Sequence, residues 1–295
     1  MSVSRVSESE IAGFWQEHPC GDEMIGGLVD RYREDFATFF TEYDEQRYEL
    51  ESHIPACLDA LGVDGLKVLE IGPGQGAESE QLIRRGARWT GLDLTDESVR
   101  RVKIRLDLHD LEYDDLLQSS ATRIPAPDNS FDLVFSHGVL HHIPDIEQTQ
   151  SEIHRVLRPG GRLVAMLYAR RSLNYIVMIK GLRRIGLVAL WPVRHDFKHG
   201  HVAGHLRNAE REGLWNYLRM GRFVHANTDG PLNPFARVYS VKDVKRDFPD
   251  FRITRAHKEF MHAPPLPVHG LPGGRTMGWH LWVEMVPIDR PHKTG

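Results

Sequence analysis

Between residues 66 and 168, short apolar runs alternate with longer stretches in which apolar and charged positions recur at helical spacing. The runs at 67–71, 89–94, 115–119, 131–136 and 161–168 are short and rich in Val, Leu, Ile and Phe, so each predicts a strand. Between them, residues 77–85 open from a glycine loop, and Thr95 followed by Asp96 and Glu97 predicts a capped helix start ahead of 99–106. Ile146, Ile153, Val156 and Leu157 share one face of a helix over 146–157, which Pro159-Gly160-Gly161 is expected to stop before the next strand. Strands alternating with helices predict a parallel sheet covered on both faces. The pattern divides the chain into a helical cap over 1–60, a core over 61–169, a helix-rich insert over 170–240, and a return over 241–295 that supplies a last helix and two strands.

Composition narrows the classes. The chain has 295 residues, and 37 Lys plus Arg against 41 Asp plus Glu give a net charge of -4, so no global basic field draws in a phosphate backbone and nucleic acid is not the expected partner. Collagen-like, coiled-coil and wholly disordered readings do not fit 41% apolar residues without a repeat. Cys20 and Cys57 are too few to staple the fold and too far apart for a metal-binding pair, which points to a reducing cytosol. Residues 1–10 carry Glu8 and Glu10 and no apolar run, unlike a secretory or transit leader. The apolar stretch 174–193 is interrupted by Lys180, Arg183 and Arg184, so it reads as a packed helix, a lid over an apolar acceptor or an interfacial helix, not a membrane span.

Chemistry concentrates at Glu70-Ile71-Gly72-Pro73-Gly74-Gln75-Gly76-Ala77, where glycines between a buried strand and a helix let a ligand approach the backbone. Asp93 follows Gly72 by 21 residues, at the end of the second strand, placed to accept two ribose hydroxyls. Taken alone, this spacing serves a dinucleotide as well as another adenosine cofactor.

Five ordered blocks carry a more specific likeness: residues 68–76, Gly91-Leu92-Asp93-Leu94, residues 127–134, residues 136–145 (Ser-His-Gly-Val-Leu-His-His-Ile-Pro-Asp), and Arg155-Val156-Leu157-Arg158-Pro159-Gly160-Gly161. Over about residues 66–168 the chain resembles the class I S-adenosylmethionine-dependent methyltransferases of the methyltransferase type 11 group. The resemblance implies a three-layer, Rossmann-like α/β fold with seven strands, the last antiparallel, an N-terminal helical cap and a helical insert after the fifth strand. It also implies S-adenosyl-L-methionine over the carboxyl ends of the first, second and fourth strands. Glu70, Gly72, Gly74 and Gly76 would then frame its methionine end, Asp93 the ribose and Leu94 the adenine. Ser120-Ala121 stands where the family often has an acid followed by a small residue near the adenine amino group, a departure that removes a charge. Ser136 and His137 would lie beside the sulfonium, with His137 as base or orienter on the acceptor side.

Further candidates come from the cap and the insert. Tyr43, Arg47 and Tyr48 are expected to exclude water from the methyl donor, and Tyr168 and His225 are alternative catalytic groups. Asp229 and Asn233 in the polar tract 225–234, together with His141, are expected to border the acceptor, although that tract also reads as a surface loop and His141-His142 as a helix entry. His195, His199, His201 and His205 lack accompanying thiolates, and no metal site is expected from them. The implied activity is methyl transfer to an oxygen, nitrogen, sulfur or activated-carbon nucleophile of a small molecule, by a cytoplasmic monomer or homodimer. The alternatives are a non-catalytic S-adenosylmethionine-binding module and a nicotinamide-dependent oxidoreductase.

Overall fold

The computed structural model describes residues 6–288, apart from positions 27, 29 and 30. Part of the leader reading of residues 1–10 therefore lies outside the described residues. Seven strands form one sheet: β1 (Lys67–Ile71), β2 (Arg88–Asp93), β3 (Asp115–Gln118), β4 (Phe131–His137), β5 (Leu157–Tyr168), β6 (Phe251–Glu259) and β7 (His280–Pro287). Their order is β3-β2-β1-β4-β5-β7-β6; β1 to β5 pair in parallel, and β7 runs antiparallel between β5 and β6. The chain reverses away from β1 at the β1–β4 junction, which leaves a crevice above the carboxyl ends of those strands.

Period-2 alternation builds the two covered faces. Leu69, Val134, Leu163 and Ala165 point to a core shared with the helix Ile146–Val156, while Val68, Leu133, Phe135 and Met166 point to the opposite core with Trp89, Leu82 and Val102. One boundary differs from expectation. The helix ends at Val156, before Pro159-Gly160-Gly161, and those three residues lie inside β5, which begins at Leu157 paired with Phe131 and shifts register between Phe131 and Leu133.

Among the described residues, the first 60 contribute four α-helices, α1 (Glu8–Glu17), α2 (Asp22–Ile25), α3 (Phe36–Leu50) and α4 (Ile54–Asp59). Phe39, Phe40 and Tyr43 of α3 make a small core with Leu28 and Tyr32. Core helices α5 (Ala77–Arg84) and α6 (Asp96–Leu108) hold this unit through charge: Arg101 pairs with Asp22 at 2.5 Å, Arg105 with Asp44, and Arg47 with Glu78 at 2.7 Å. Burial raises the Asp44 carboxyl to about 6 despite the Arg105 beside it.

After β5 the chain leaves the sheet and returns at Tyr239, whose N–H donates to Tyr168 O at 2.7 Å. Between these points lie a π-helical segment (Asn174–Leu182) and helices α8 (Arg183–Leu190), α9 (Gly200–Glu212), α10 (Leu214–Tyr217) and α11 (Met220–Thr228), the core helix Ile146–Val156 being α7. They close on their own core around Ile179, Tyr217 and Phe223. Among the described residues no helix is long and apolar enough to cross a membrane.

Candidate active site

The turn after β1 is built by backbone geometry. Gly72, Gly74 and Gly76 have φ of 75, 57 and 78°, a region that side chains rarely adopt, and a Cβ on Gly72 would lie 2.3 Å from Val139. Gly72 N–H donates to Leu92 O at 2.8 Å, which locks the loop to β2. Above it opens a cavity of about 330 Å³, lined on one side by Gly72, Gly74, Asp93, Leu94, Ser120 and Ala121. Asp93 Oδ1 accepts from Thr95 N–H and Thr95 Oγ1, both at 3.0 Å, so the carboxylate is oriented. Burial raises its pKa, opposed by these hydrogen bonds.

At the other end the cavity is lined by Tyr43, Arg47, His137, Tyr168 and Asp229. Arg47 Nε and Nη2 donate to Glu78 Oε1 at 2.9 and 2.7 Å, and Nη2 also donates to His137 Nδ1 at 3.2 Å. A guanidinium offers only donors, so Nδ1 of a neutral His137 must accept and its proton resides on Nε2. Burial and the nearby Arg47 hold the His137 pKa down at about 3, outweighing Glu78. Burial works against the Glu78 charge as well, but the paired Arg47 prevails and keeps its pKa below the ordinary value. Tyr168 donates to Asp229 Oδ1 at 2.6 Å, while Asn233 Nδ2 reaches Oδ2 at 3.3 Å. Burial, then Asp229, hold the Tyr168 hydroxyl protonated, well above its ordinary pKa.

Other expected site residues lie behind the lining. Glu70 is buried and turned away from the cavity, accepting from Ser79 Oγ at 2.6 Å and Trp89 Nε1 at 2.7 Å. Gly76 starts α5, where it lets Arg105 pass close, and Ser136 is buried and donates to Ile71 O at 3.0 Å. Tyr48 packs beside both the cap and the core, and His141 is buried with its ring 3.9 Å from that of Tyr168. His225 Nδ1 engages Ala236, and its ring stacks on Phe235. The tract 225–234 is not simply a surface loop: residues 225–228 finish α11, and Asn227 and Asn233 are buried.

Several lining residues escape sequence reasoning. Glu8, Ile11 and Trp15 of α1 cover the cavity, with Glu8 accepting from Ser120 Oγ at 2.5 Å and Trp15 edge-on to His142. Cys20, Glu51, Glu78 and His280 also line it. No local motif marks them, because each reaches the cavity from a different element; only the first-turn position of Glu78 after the glycine loop is a visible hint. Glu51, His137 and His280 bring ligand-type atoms within 4.8 Å of one another, but the Arg47 guanidinium stands 3.8 Å from Glu51 and 3.2 Å from His137, so a fixed cation already occupies that centre. Of the insert histidines, His205 bonds the Tyr217 hydroxyl at 2.7 Å and His199 precedes α9.

Part of the chain is similar to known proteins. Residues 69–165 match the family model described as "Methyltransferase domain". The chain is 36% identical over 124 residues to the fatty-acid O-methyltransferase of Mycolicibacterium smegmatis, a match covering 41% of this chain and 44% of that protein. It is 31% identical over 153 residues to the ubiquinone biosynthesis O-methyltransferase of Xanthomonas oryzae, covering 51% of this chain and 64% of that one. The chain thus spans less than two thirds of the length of these relatives. A SAM dependent methyltransferase from Aquifex aeolicus shares the fold at 18% identity, with a TM-score of 0.52 over 86% of this chain and 99% of that one.

Proposed function

We propose that this chain, which carries a class I S-adenosylmethionine-dependent methyltransferase domain, transfers a methyl group to a small-molecule acceptor, with oxygen as the nucleophile. The observation that carries the reading is the single cavity that joins the glycine loop, the Asp93 carboxylate at the end of β2 and His137 at the end of β4. The residues present fit S-adenosylmethionine. Gly74 presents bare backbone, where a Cβ would meet nothing nearer than the Cys20 Cβ at 3.9 Å; Asp93 offers an oriented carboxylate for vicinal hydroxyls, and Leu94 and Ala121 offer an apolar slot for a base. An antiparallel strand between β5 and β6 also separates this sheet from the all-parallel dinucleotide fold. Both curated relatives named above are O-methyltransferases, which favours oxygen over nitrogen or sulfur.

When bound, the cofactor supplies an electrophilic methyl group on a sulfonium sulfur. The chain's own residues then have three tasks. Gly72, Gly74 and Asp93 fix the donor, because in-line displacement depends on alignment that is worth roughly 7–11 kcal/mol. Glu78 and Asp229 provide negative charge near the donor, each held in place by Arg47 or Tyr168. His137, neutral and with Nε2 as its donor, orients an acceptor oxygen. The cap helix α1 excludes water by covering the cavity with Ile11 and Trp15.

The test is ligand-induced thermal stabilisation with S-adenosylmethionine, S-adenosylhomocysteine and NAD, followed by S-adenosylhomocysteine release over phenols, alcohols, thiols, amines and carboxylic acids. Stabilisation by the first two and acceptor-dependent release are expected. Stabilisation by NAD alone would overturn the cofactor, and cofactor binding without release over the whole panel would leave a binding module instead of an enzyme.

A further inference from the structure

The acceptor end of the cavity contains a carboxylate that the rest of the site does not use. Glu51 follows the last residue of α3 and lines the cavity. The other carboxylates lining the cavity are engaged: Glu78 by Arg47, Asp229 by Tyr168 and Asn233, Asp93 by Thr95 and Glu8 by Ser120. Glu51 Oε2 is shielded from solvent and accepts no hydrogen bond, and its nearest cation, Arg47 Nη1, stands 3.8 Å away. Leaving a buried acceptor unpaired costs about 1–3 kcal/mol, and more for a charged one, so the position is held at the expense of stability.

His137 does not meet the same need. Its Nδ1 lone pair already receives a hydrogen bond from Arg47, and its Nε2 carries the proton. The groups facing Glu51 are Arg47 from α3, Glu78 from α5, His137 from β4, His280 from β7, His53 from the turn before α4, and Cys20, Tyr43 and Tyr168. Arg47 and Glu78 cancel, and burial keeps His53, His137 and His280 neutral and Tyr43 and Tyr168 protonated. With Glu51 ionised beside the balanced Arg47–Glu78 pair, this end is net negative, which disfavours a carboxylate acceptor and admits a neutral hydroxyl.

The geometry points to Glu51 as the general base of this site, acting on a neutral hydroxyl acceptor of the phenol or alcohol class. The assignment rests on the methyl-transfer reading above. An acceptor oxygen lone pair forms the new bond to the methyl carbon, the carbon–sulfur bond breaks with its electron pair returning to sulfur, and the hydroxyl proton passes to the Glu51 carboxylate and then to water. Burial raises the Glu51 pKa despite the opposing Arg47 charge, which brings it nearer the operating pH of a useful base.

The test uses the full chain with Glu51→Gln and Glu51→Asp. Calorimetric titration with S-adenosylhomocysteine comes first, and affinities within about threefold of wild type show an intact cofactor site. Rates with catechol and with octanoic acid are then followed against pH. Glu51→Gln is expected to lower kcat with catechol roughly 10²–10⁴-fold and flatten the acidic limb of the profile, while Glu51→Asp keeps the limb at an intermediate rate. Infrared difference titration gives a readout independent of turnover: Glu70 and Asp44 titrate above the ordinary carboxylate range in both proteins, and wild type is expected to show one further such carboxyl that is absent in Glu51→Gln. Should Glu51→Gln fail to bind S-adenosylhomocysteine, the rate and limb of Glu51→Asp decide. Unchanged kcat and an unchanged acidic limb, loss of no carboxyl from the titration, or preference for octanoic acid would each overturn the assignment. Failure of wild type itself to bind S-adenosylhomocysteine would instead sink the methyl-transfer reading.

Discussion

Glu70 offers a direct test of how this core treats a buried acid. It sits on β1 with 1% of its surface exposed, and burial pushes its carboxyl up from 4.5 to about 8, with the charges of Glu78 and Asp93 adding to the effect and the Ser79 and Trp89 hydrogen bonds opposing it. Below pH 4.5 the group is neutral in both folded and unfolded chains. Between pH 4.5 and 8 the unfolded chain releases the proton while the folded one keeps it, so stability falls with rising pH, and above pH 8 the loss is complete. At about 1.4 kcal/mol per pKa unit, the full shift is worth on the order of 4–5 kcal/mol, an upper bound because a buried site relaxes around its charge. Glu70→Gln keeps an acceptor for Ser79 and Trp89 but does not titrate. Any fixed cost of the amide is the same at every pH, so only the slope matters. Thermal unfolding of the ligand-free protein should show wild type losing at least about 5 °C more than the variant between pH 5 and pH 8.5. Parallel melting curves across that range would refute the claim that Glu70 is protonated in the fold.

Three further outcomes follow from the same geometry. Asp93→Ala should weaken S-adenosylhomocysteine binding by about 1–2 kcal/mol more than Ser120→Ala, since a carboxylate makes charge-assisted bonds where a serine makes neutral ones, and calorimetry giving equal losses would misplace the ribose contact. Arg105→Met should destabilise the fold by about 3–5 kcal/mol in urea titration, because it leaves Asp44 without its cation and Glu80 with Arg84 alone; a loss below about 1 kcal/mol would mean the cap is held by its apolar contacts. His137 should show a protonated Nε2 and an unprotonated Nδ1 in nitrogen NMR spectra from pH 5 to pH 8, as expected for a pKa near 3, and an imidazolium signal in that window would contradict the Arg47 contact.

The order of the elements was legible from the chain alone. Strand and helix periods differ, so the runs at 67–71 and 131–136 and the helix face of Ile146, Ile153 and Val156 announce themselves locally. The glycine loop and Asp93 were legible for the same reason: the strained φ values of Gly72 and Gly74, and the spacing to β2, are properties of a short stretch. The antiparallel last strand came from the family likeness and not from periodicity, which carries no direction. The cavity wall opposite the loop had no such signature. Glu8, Glu51, Glu78 and His280 stand on α1, the end of α3, α5 and β7, and only packing brings them to one cavity. Packing likewise decided which expected residues face inward. The alternation of β1 places Glu70 beneath the loop, where Ser79 and Trp89 claim its carboxylate, and the return of the insert beside β5 delivers Asp229 to Tyr168 while leaving His225 against Phe235. Protonation was the least legible property. A histidine in a sequence is a group that titrates near neutrality, but His137 is a neutral donor because it is buried and a guanidinium from α3, 90 residues away along the chain, sits at its Nδ1.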